Sequence, residues 1–228
     1  MKSNIKMVVF DMAGTTVNED NVVYKTLRKA INEAGYSFTL DEVLAEGAGK
    51  EKLQAIKSIL AAYAGTNDEE LANKIYDSFI VQLGNAYATA DILPCDNAVE
   101  LFAALKERQI STVLNTGYNR ETAKSLIDKL GWEKGVHYDS LVTATDVPKN
   151  RPNPDMIIFA MDQFGITDGH QVVKVGDSII DIEEGVNAGC IYSIGITTGA
   201  HTFEQLSSIN PAFIINNLLE LLPILDEA

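Results

Sequence analysis

Cysteine, histidine and positive charge are all scarce in this chain, and each scarcity narrows what the protein can be. Of 228 residues, two are cysteine and three are histidine. Cys95 and Cys190 do not make a disulfide framework, and a single bridge between them is an unusual choice in a reducing cell, so both are expected as reduced structural thiols. His137, His170 and His201 stand far apart without ligand spacing, which predicts surface or core histidines rather than a metal site. Lys and Arg number 18 against 32 Asp and Glu, a formal net charge of −14. A nucleic-acid partner is therefore not expected, because phosphate contacts require clustered Lys and Arg. Any anionic substrate must meet a local cationic site inside an overall repulsive field. No apolar stretch approaches the ~20 residues that span a bilayer, so no membrane partner is expected. Met1-Lys2-Ser3-Asn4 runs straight into the first apolar run with no room for a signal peptide, and the expected setting is cytoplasmic, as a monomer or homodimer.

What is present is a sizeable core: 46% of residues are hydrophobic and 22% charged, enough for one large domain or a core plus a smaller one. No internal repeat or low-complexity segment stands out. Short apolar runs at 5–10, 110–114, 172–175, 190–194 and 212–215 read as strands of one parallel sheet. Between them, Ala98, Leu101, Phe102 and Leu105 share one helical face, as do Ala123, Leu126, Ile127 and Leu130. This alternation predicts an α/β fold, a doubly wound parallel sheet with helices on both faces. One interval breaks the pattern. From the first run to Ile110 the chain carries helical patterning around 20–34, 50–63 and 68–87, with glycine breaks near Gly35, Gly47-Ala48-Gly49 and Gly65. Such a block predicts a helical cap at 16–91 above a core made of 1–15 and 92–228, hinged near residue 16 and near Asp91-Ile92-Leu93-Pro94.

The first apolar run ends in Asp11-Met12-Ala13-Gly14-Thr15-Thr16. A buried parallel strand closed by an acid and a glycine turn delivers Asp11 to the carboxyl end of the sheet, where open α/β folds place ligands. An aspartate there is either a turn former or a nucleophile that forms an aspartyl-phosphate. Three further segments follow in order: Asn115-Thr116-Gly117-Tyr118 after the second run, Val147-Pro148-Lys149-Asn150-Arg151-Pro152-Asn153-Pro154, and Gly176-Asp177-Ser178-Ile179-Ile180-Asp181 after the third.

With these four segments the chain resembles the haloacid dehalogenase superfamily of phosphoryl-transfer hydrolases over nearly its whole length, including the Rossmann-like core. The superfamily's first motif reads Asp-x-Asp-Gly-Thr. Here Ala13 replaces the second aspartate, as in phosphonatases (phosphonoacetaldehyde hydrolases), which also carry a Thr-Gly-Tyr-x-Arg stretch like Thr116-Gly117-Tyr118-Asn119-Arg120. The resemblance implies Asp11 as nucleophile and a Mg²⁺ ion held by Asp11, the Ala13 carbonyl and Asp177. Asp181 is either a group supporting those ligands or a helix-start acid complementing the macrodipole. Thr116 and the Gly117 amide are expected on the phosphoryl oxygens, with Tyr118 beside them. Arg151 takes the third-motif cation position, with Lys149 two residues away as the alternative. In superfamily phosphatases the second aspartate protonates the leaving group, which Ala13 cannot do. Phosphonatases instead use a cap lysine that forms a Schiff base with an aldehyde. Lys52, in Gly49-Lys50-Glu51-Lys52-Leu53-Gln54-Ala55-Ile56, resembles that segment, and a helix N-terminus together with Lys50 is expected to depress its pKa. Lys50 is also expected to bind substrate. The chain departs from phosphonatases at Ala55, where they carry histidine, and at Met12, where they usually carry tryptophan. The implied partner is a small phosphonate or phosphorylated metabolite. A phosphomonoesterase of phosphoglycolate-phosphatase type is the alternative, and a catalytically idle binding protein the third reading. Thr197-Thr198-Gly199-Ala200-His201 is a further segment that could border the site.

Overall fold

Every side chain of β1 (Met7–Asp11) is buried, and alternate residues serve opposite faces of the sheet. Val8 and Phe10 pack with Phe102, Leu114 and Val175, whereas Met7 and Val9 pack with Val113, Val142 and Met156. A strand covered on both faces calls for parallel neighbours joined by crossover helices. The computed structural model, which describes residues 4–227, has that architecture. The expectation that Met1–Ser3 lead directly into the first strand lies outside the described residues.

After β1 come β2 (Val17–Asn18), β3 (Leu93–Pro94), β4 (Ser111–Thr116), β5 (Ser140–Thr143), β6 (Val172–Gly176), β7 (Tyr192–Ile196) and β8 (Phe213–Ile215). The main sheet has the order β5-β4-β1-β6-β7-β8 with every pairing parallel, so β1 sits centrally between β4 and β6. The carboxyl ends of these three strands converge, and they carry Asp11, Thr116 and Gly176-Asp177.

Four helices lie between β2 and β3 in the chain: α1 (Val22–Glu33), α2 (Leu40–Gly47), α3 (Lys52–Ile59, continued by a π-helical turn at Leu60–Ala64) and α4 (Glu69–Thr89). Val23, Leu27, Ala30 and Ile31 of α1 and Ile75, Phe79 and Leu83 of α4 form the buried stripes along which these two helices pack. The chain leaves and re-enters the sheet layer at one place, because β2 and β3 pair antiparallel with Val17 opposite Pro94. The remaining helices are α5 (Ala98–Glu107), α6 (Arg120–Leu130), α7 (Asp155–Gln163), α8 (Ile179–Asn187), α9 (Phe203–Ser207) and α10 (Leu221–Glu227). Among the described residues, no helix is long and apolar enough to cross a membrane.

The additions to the reading from sequence include β5, α2 and the two-residue strands β2 and β3 that flank the helical block. β5 is only four residues with two apolar side chains inside, too short for periodicity to separate it from a loop. α2 is announced by a capping box: Thr39 accepts from the Glu42 amide and Glu42 accepts from the Thr39 amide. The strand expected at 190–194 begins later, at Tyr192, because Cys190 still completes the end of α8 by donating its N–H to the Gly185 carbonyl. Both cysteines are free thiols.

Candidate active site

The loop after β1 is wound tightly around one acceptor: the amides of Thr15, Thr16 and Val17 all donate to the Met12 carbonyl, leaving the Ala13 carbonyl outside the turn's bonds. Gly14 is needed for two reasons. Its φ of 86° is left-handed, and a Cβ there would lie 2.3 Å from Asp177 Oδ2. The glycine thus lets the β1 loop close against the β6 loop. Asp177 Oδ2 accepts from the Ala200 amide at 2.6 Å, and the Thr198 hydroxyl donates to the Gly14 carbonyl at 2.7 Å. The 197–201 segment therefore does border this site. His201 is buried and accepts from the Ile179 amide at 3.0 Å.

Arg151 is completely buried at the centre of the cluster. Its Nη1 lies 2.7 Å from Asp11 Oδ1 and 2.9 Å from Asp181 Oδ1, its Nε donates to Glu184 Oε2 at 2.9 Å, and its Nη2 donates to both the carbonyl and the side-chain oxygen of Asn115. Burial opposes the charge of the guanidinium, but Asp181, Glu184 and Asp11 outweigh it and hold it protonated. Lys149 is exposed.

Reasoning from sequence missed the second buried cation. Lys174, in the middle of β6, has no solvent exposure and lies 2.9 Å from Asp181 Oδ1 and 3.2 Å from Glu184 Oε2. The signal was a lysine inside the run Val172–Val175, which was read simply as apolar. Glu184 was also missed, although it falls three residues after Asp181 and thus on the same face of α8. Asn115, quoted with its motif, was given no role.

Thr116 is buried at the end of β4, its hydroxyl accepting from the Tyr118 amide. Above it lies the segment that opens α3. A Cβ on Gly117 would meet the Lys50 carbonyl at 2.7 Å, so the two backbones touch at a spacing only glycine allows. Arg151 Nη1 reaches the Gly49 carbonyl at 3.3 Å, and Gln54 Nε2 reaches the Arg151 carbonyl at 3.4 Å. Lys52, the first residue of α3, is 6% exposed. Its Nζ donates to the Lys50 carbonyl at 2.9 Å and stands 5.1 and 5.3 Å from the ring centres of Tyr24 and Tyr118. Its pKa is lowered as expected, but the main cause is burial, against which Asp11, Glu51 and Glu19 act. Lys50 contributes its carbonyl here, whereas its ammonium turns to Glu46 at 3.9 Å. Arg120 lies apart, in a surface pair with Asp146.

The family model for haloacid dehalogenase-like hydrolases matches residues 5–189. The chain is a haloacid dehalogenase-like hydrolase. It is 36% identical over 214 residues to the phosphonoacetaldehyde hydrolase of Parabacteroides distasonis, covering 86% of this chain and 78% of that one. It is 31% identical over 208 residues to the protein of that name from Hahella chejuensis, covering 86% and 69%. Among solved structures it resembles the phosphonoacetaldehyde hydrolase-like protein of Oleispira antarctica, with a TM-score of 0.84, 21% identity and coverage of 99% and 93%. A predicted phosphoglycolate phosphatase from Haemophilus somnus gives a TM-score of 0.80 at 19% identity, covering 98% and 99%. At such identities these two likenesses speak to the fold.

The fold family implies a metal ion, and the residues of this hydrolase fit one. Asp11, Asp177 and Asp181 bring ligand oxygens within 4.8 Å of one another, all buried. With Glu184 they set four carboxylates against the two cations Arg151 and Lys174, a deficit one divalent ion would balance. The strain is visible in the acids. Burial, then repulsion from Asp181, raises the pKa of Asp11, and burial with repulsion from Asp11 and Asp181 pushes Asp177 well above its ordinary range. Asp181 is different, since Arg151 and Lys174 overcome its burial and hold it below the usual carboxylate range. Its Oδ1 faces both cations and its Oδ2 accepts from the Ser178 hydroxyl at 2.5 Å. That leaves Asp11 Oδ2, and Asp177 Oδ1 with only the Thr15 hydroxyl at 3.5 Å, as hard oxygens that a metal ion could take.

Proposed function

We propose that this hydrolase cleaves a small phosphonate in the manner of a phosphonoacetaldehyde hydrolase, with Asp11 as nucleophile and Lys52 as the amine that captures the aldehyde. The observation that carries the reading is the pairing of Ala13 with a buried, aromatic-walled Lys52. The position that would protonate an ester leaving group bears a methyl group, while an amine depressed by burial stands close enough to feel the charge of Asp11. The curated relatives of that name, at 31% and 36% identity, support it.

The 16–91 segment acts as the cap that covers the substrate, and 1–15 with 92–228 form the catalytic core. Thr116 and the Gly117 amide hold phosphoryl oxygens. Arg151 fixes the Asp11 carboxylate through Oδ1, and that carboxylate is the attacking group. Lys52 condenses with the aldehyde, releasing water and giving a cationic iminium. Asp11 attacks phosphorus, the carbon–phosphorus bond breaks, and its electron pair passes into the iminium, leaving an enamine. Water then hydrolyses the aspartyl-phosphate to free phosphate, while protonation and hydrolysis of the enamine release the new aldehyde and restore Lys52. Asp11, the Ala13 carbonyl and Asp177 would hold Mg²⁺, whose charge offsets that of the phosphoryl group facing a carboxylate nucleophile. The setting is cytoplasmic.

Borohydride added with phosphonoacetaldehyde tests this directly. Reduction should fix an adduct that mass mapping places on Lys52. Absence of an adduct, combined with turnover of phosphomonoesters by the unmodified protein, would replace the phosphonate reading with that of a phosphatase.

A further inference from the structure

Glu19 is a buried ionisable group beside the Lys52 pocket that the mechanism above leaves without a role. It follows β2 where the chain enters the helical segment, and it is 3% exposed. Its Oε2 accepts from the Val23 amide at 2.8 Å and from the Tyr87 hydroxyl at 2.9 Å. The Tyr87 hydroxyl lies 2.7 Å from that of Tyr118, whose ring carries the Lys52 ammonium. Tyr24, the residue after Val23, supplies the other ring. One carboxyl therefore ties down both aromatic walls of the lysine's pocket: one through the start of α1, the other through α4 and Tyr118.

We propose that Glu19 is the positioning residue for Lys52, holding its two aromatic walls and, while ionised, favouring its ammonium form. This rests on the reading of Lys52 as an amine nucleophile. The hydroxyls of Tyr118 and Tyr87 can each donate and accept, so they form a hydrogen-bonded bridge toward Glu19. Ionised Glu19 favours the ammonium, whereas protonated Glu19 leaves burial to favour the amine.

The charges around the pair agree. Burial pushes Glu19 up to about 7 and pulls Lys52 down, and each feels the other. Lys52 also faces Asp11, Glu51 and Arg151, and Glu19 also faces Lys25. Burial raises Tyr24, Tyr87 and Tyr118 well above the usual phenol range and Cys95 to about 12, so these neighbours stay neutral. Glu19 is thus the neighbour of Lys52 whose charge changes near neutral pH.

Trace acylation of the intact protein with acetic anhydride, followed by mass quantification of the Lys52 peptide across neutral and alkaline pH, tests this. Glu19→Gln removes the charge that keeps Lys52 protonated, so labelling of Lys52 at neutral pH should rise on the order of tenfold. Glu19→Asp should return the profile toward wild type. Tyr87→Phe keeps the ring but removes a bond that favours the ionised carboxyl, so it should shift the profile in the same direction by less. If Glu19→Gln does not fold, Tyr87→Phe decides alone. An unchanged Lys52 profile in the folded variants overturns the proposal. The readout is amine reactivity and not turnover, so a labelling shift without any borohydride adduct marks failure of the phosphonate reading alone.

Discussion

Arg151 Nη1 stands 2.7 Å from Asp11 Oδ1, with both side chains shut away from solvent. The contact is a charge-assisted hydrogen bond in a dry site, so it fixes the carboxylate plane. Asp11→Asn keeps the shape, and Arg151 retains Asp181 and Glu184 as counter-charges. The variant should fold, with a circular dichroism spectrum like the wild type, while phosphate release falls on the order of 10⁴-fold or more. Near-normal release by the folded variant would remove Asp11 as nucleophile.

Arg151 and Lys149 separate cleanly. Arg151→Met strands Asp11, Asp181 and Glu184 around the single remaining cation Lys174, and breaking a buried pair in this way costs about 3–5 kcal/mol. Lys149→Ala removes an exposed charge and should stay within about 0.5 kcal/mol of wild type, with activity intact. Urea denaturation and phosphate release on the two variants check this. Comparable losses in both would return the third-motif role to Lys149.

The sheet and the site were legible in the sequence to different depths, for physical reasons. Asp11, Thr116 and Asp177 each follow an apolar run at the carboxyl end of a central strand, so strand position alone brings them together. Arg151 depended on its motif, since a loop residue before a proline gives no periodic signal. Lys174 was hidden by its neighbours: three valines made its strand read as apolar, although a lysine at a position buried on both faces requires an acidic partner. Asp181 and Glu184, one helical turn apart, are its partners. Glu19, Tyr24 and Tyr87 were out of reach of local pattern, because they meet only when α1 and α4 pack and Tyr118 arrives from the sheet.

Metal binding should appear as stability. Asp11 and Asp177 are raised by burial and by repulsion from neighbouring aspartates, so a cation that relieves them binds the folded chain preferentially. Mg²⁺ at one hundred times its Kd should stabilise the wild type by about 2.7 kcal/mol. Asp177→Asn should show little of that gain, and EDTA should abolish turnover reversibly. Equal Mg²⁺-induced shifts in melting temperature for wild type and Asp177→Asn would place the ion elsewhere.

Glu19 predicts a pH-dependent stability of definite sign. Its folded pKa of about 7 lies above the ordinary 4.5, so the native state binds the proton more tightly than the unfolded chain. Stability is therefore highest below about pH 4.5 as far as this group is concerned, and it falls as pH rises through the window to about 7. The full loss is roughly 3 kcal/mol. Glu19→Gln should remove that slope, so its stability relative to wild type should increase across the window in urea titrations. Parallel curves for the two proteins would show that Glu19 is not perturbed.

The absence of an acid at position 13 makes the last prediction specific to the leaving group. Proton donation matters when an alkoxide must depart and matters little for a p-nitrophenoxide, which leaves as an anion. Ala13→Asp, placed beside the tight turn around the Met12 carbonyl, should raise hydrolysis of alkyl phosphates, within the ~10²–10⁴-fold that general acid catalysis supplies. Hydrolysis of p-nitrophenyl phosphate should change far less. Cleavage of phosphonoacetaldehyde should not gain, because in the proposed mechanism its electrons pass to a Lys52 iminium and need no acid at residue 13. Lys52→Arg gives the complementary result, since it keeps the positive charge but forms no imine, so phosphonate cleavage should disappear while the alkyl phosphatase activity of an Ala13→Asp background survives. Equal gains for alkyl and p-nitrophenyl esters in Ala13→Asp would show that something other than a proton had been restored.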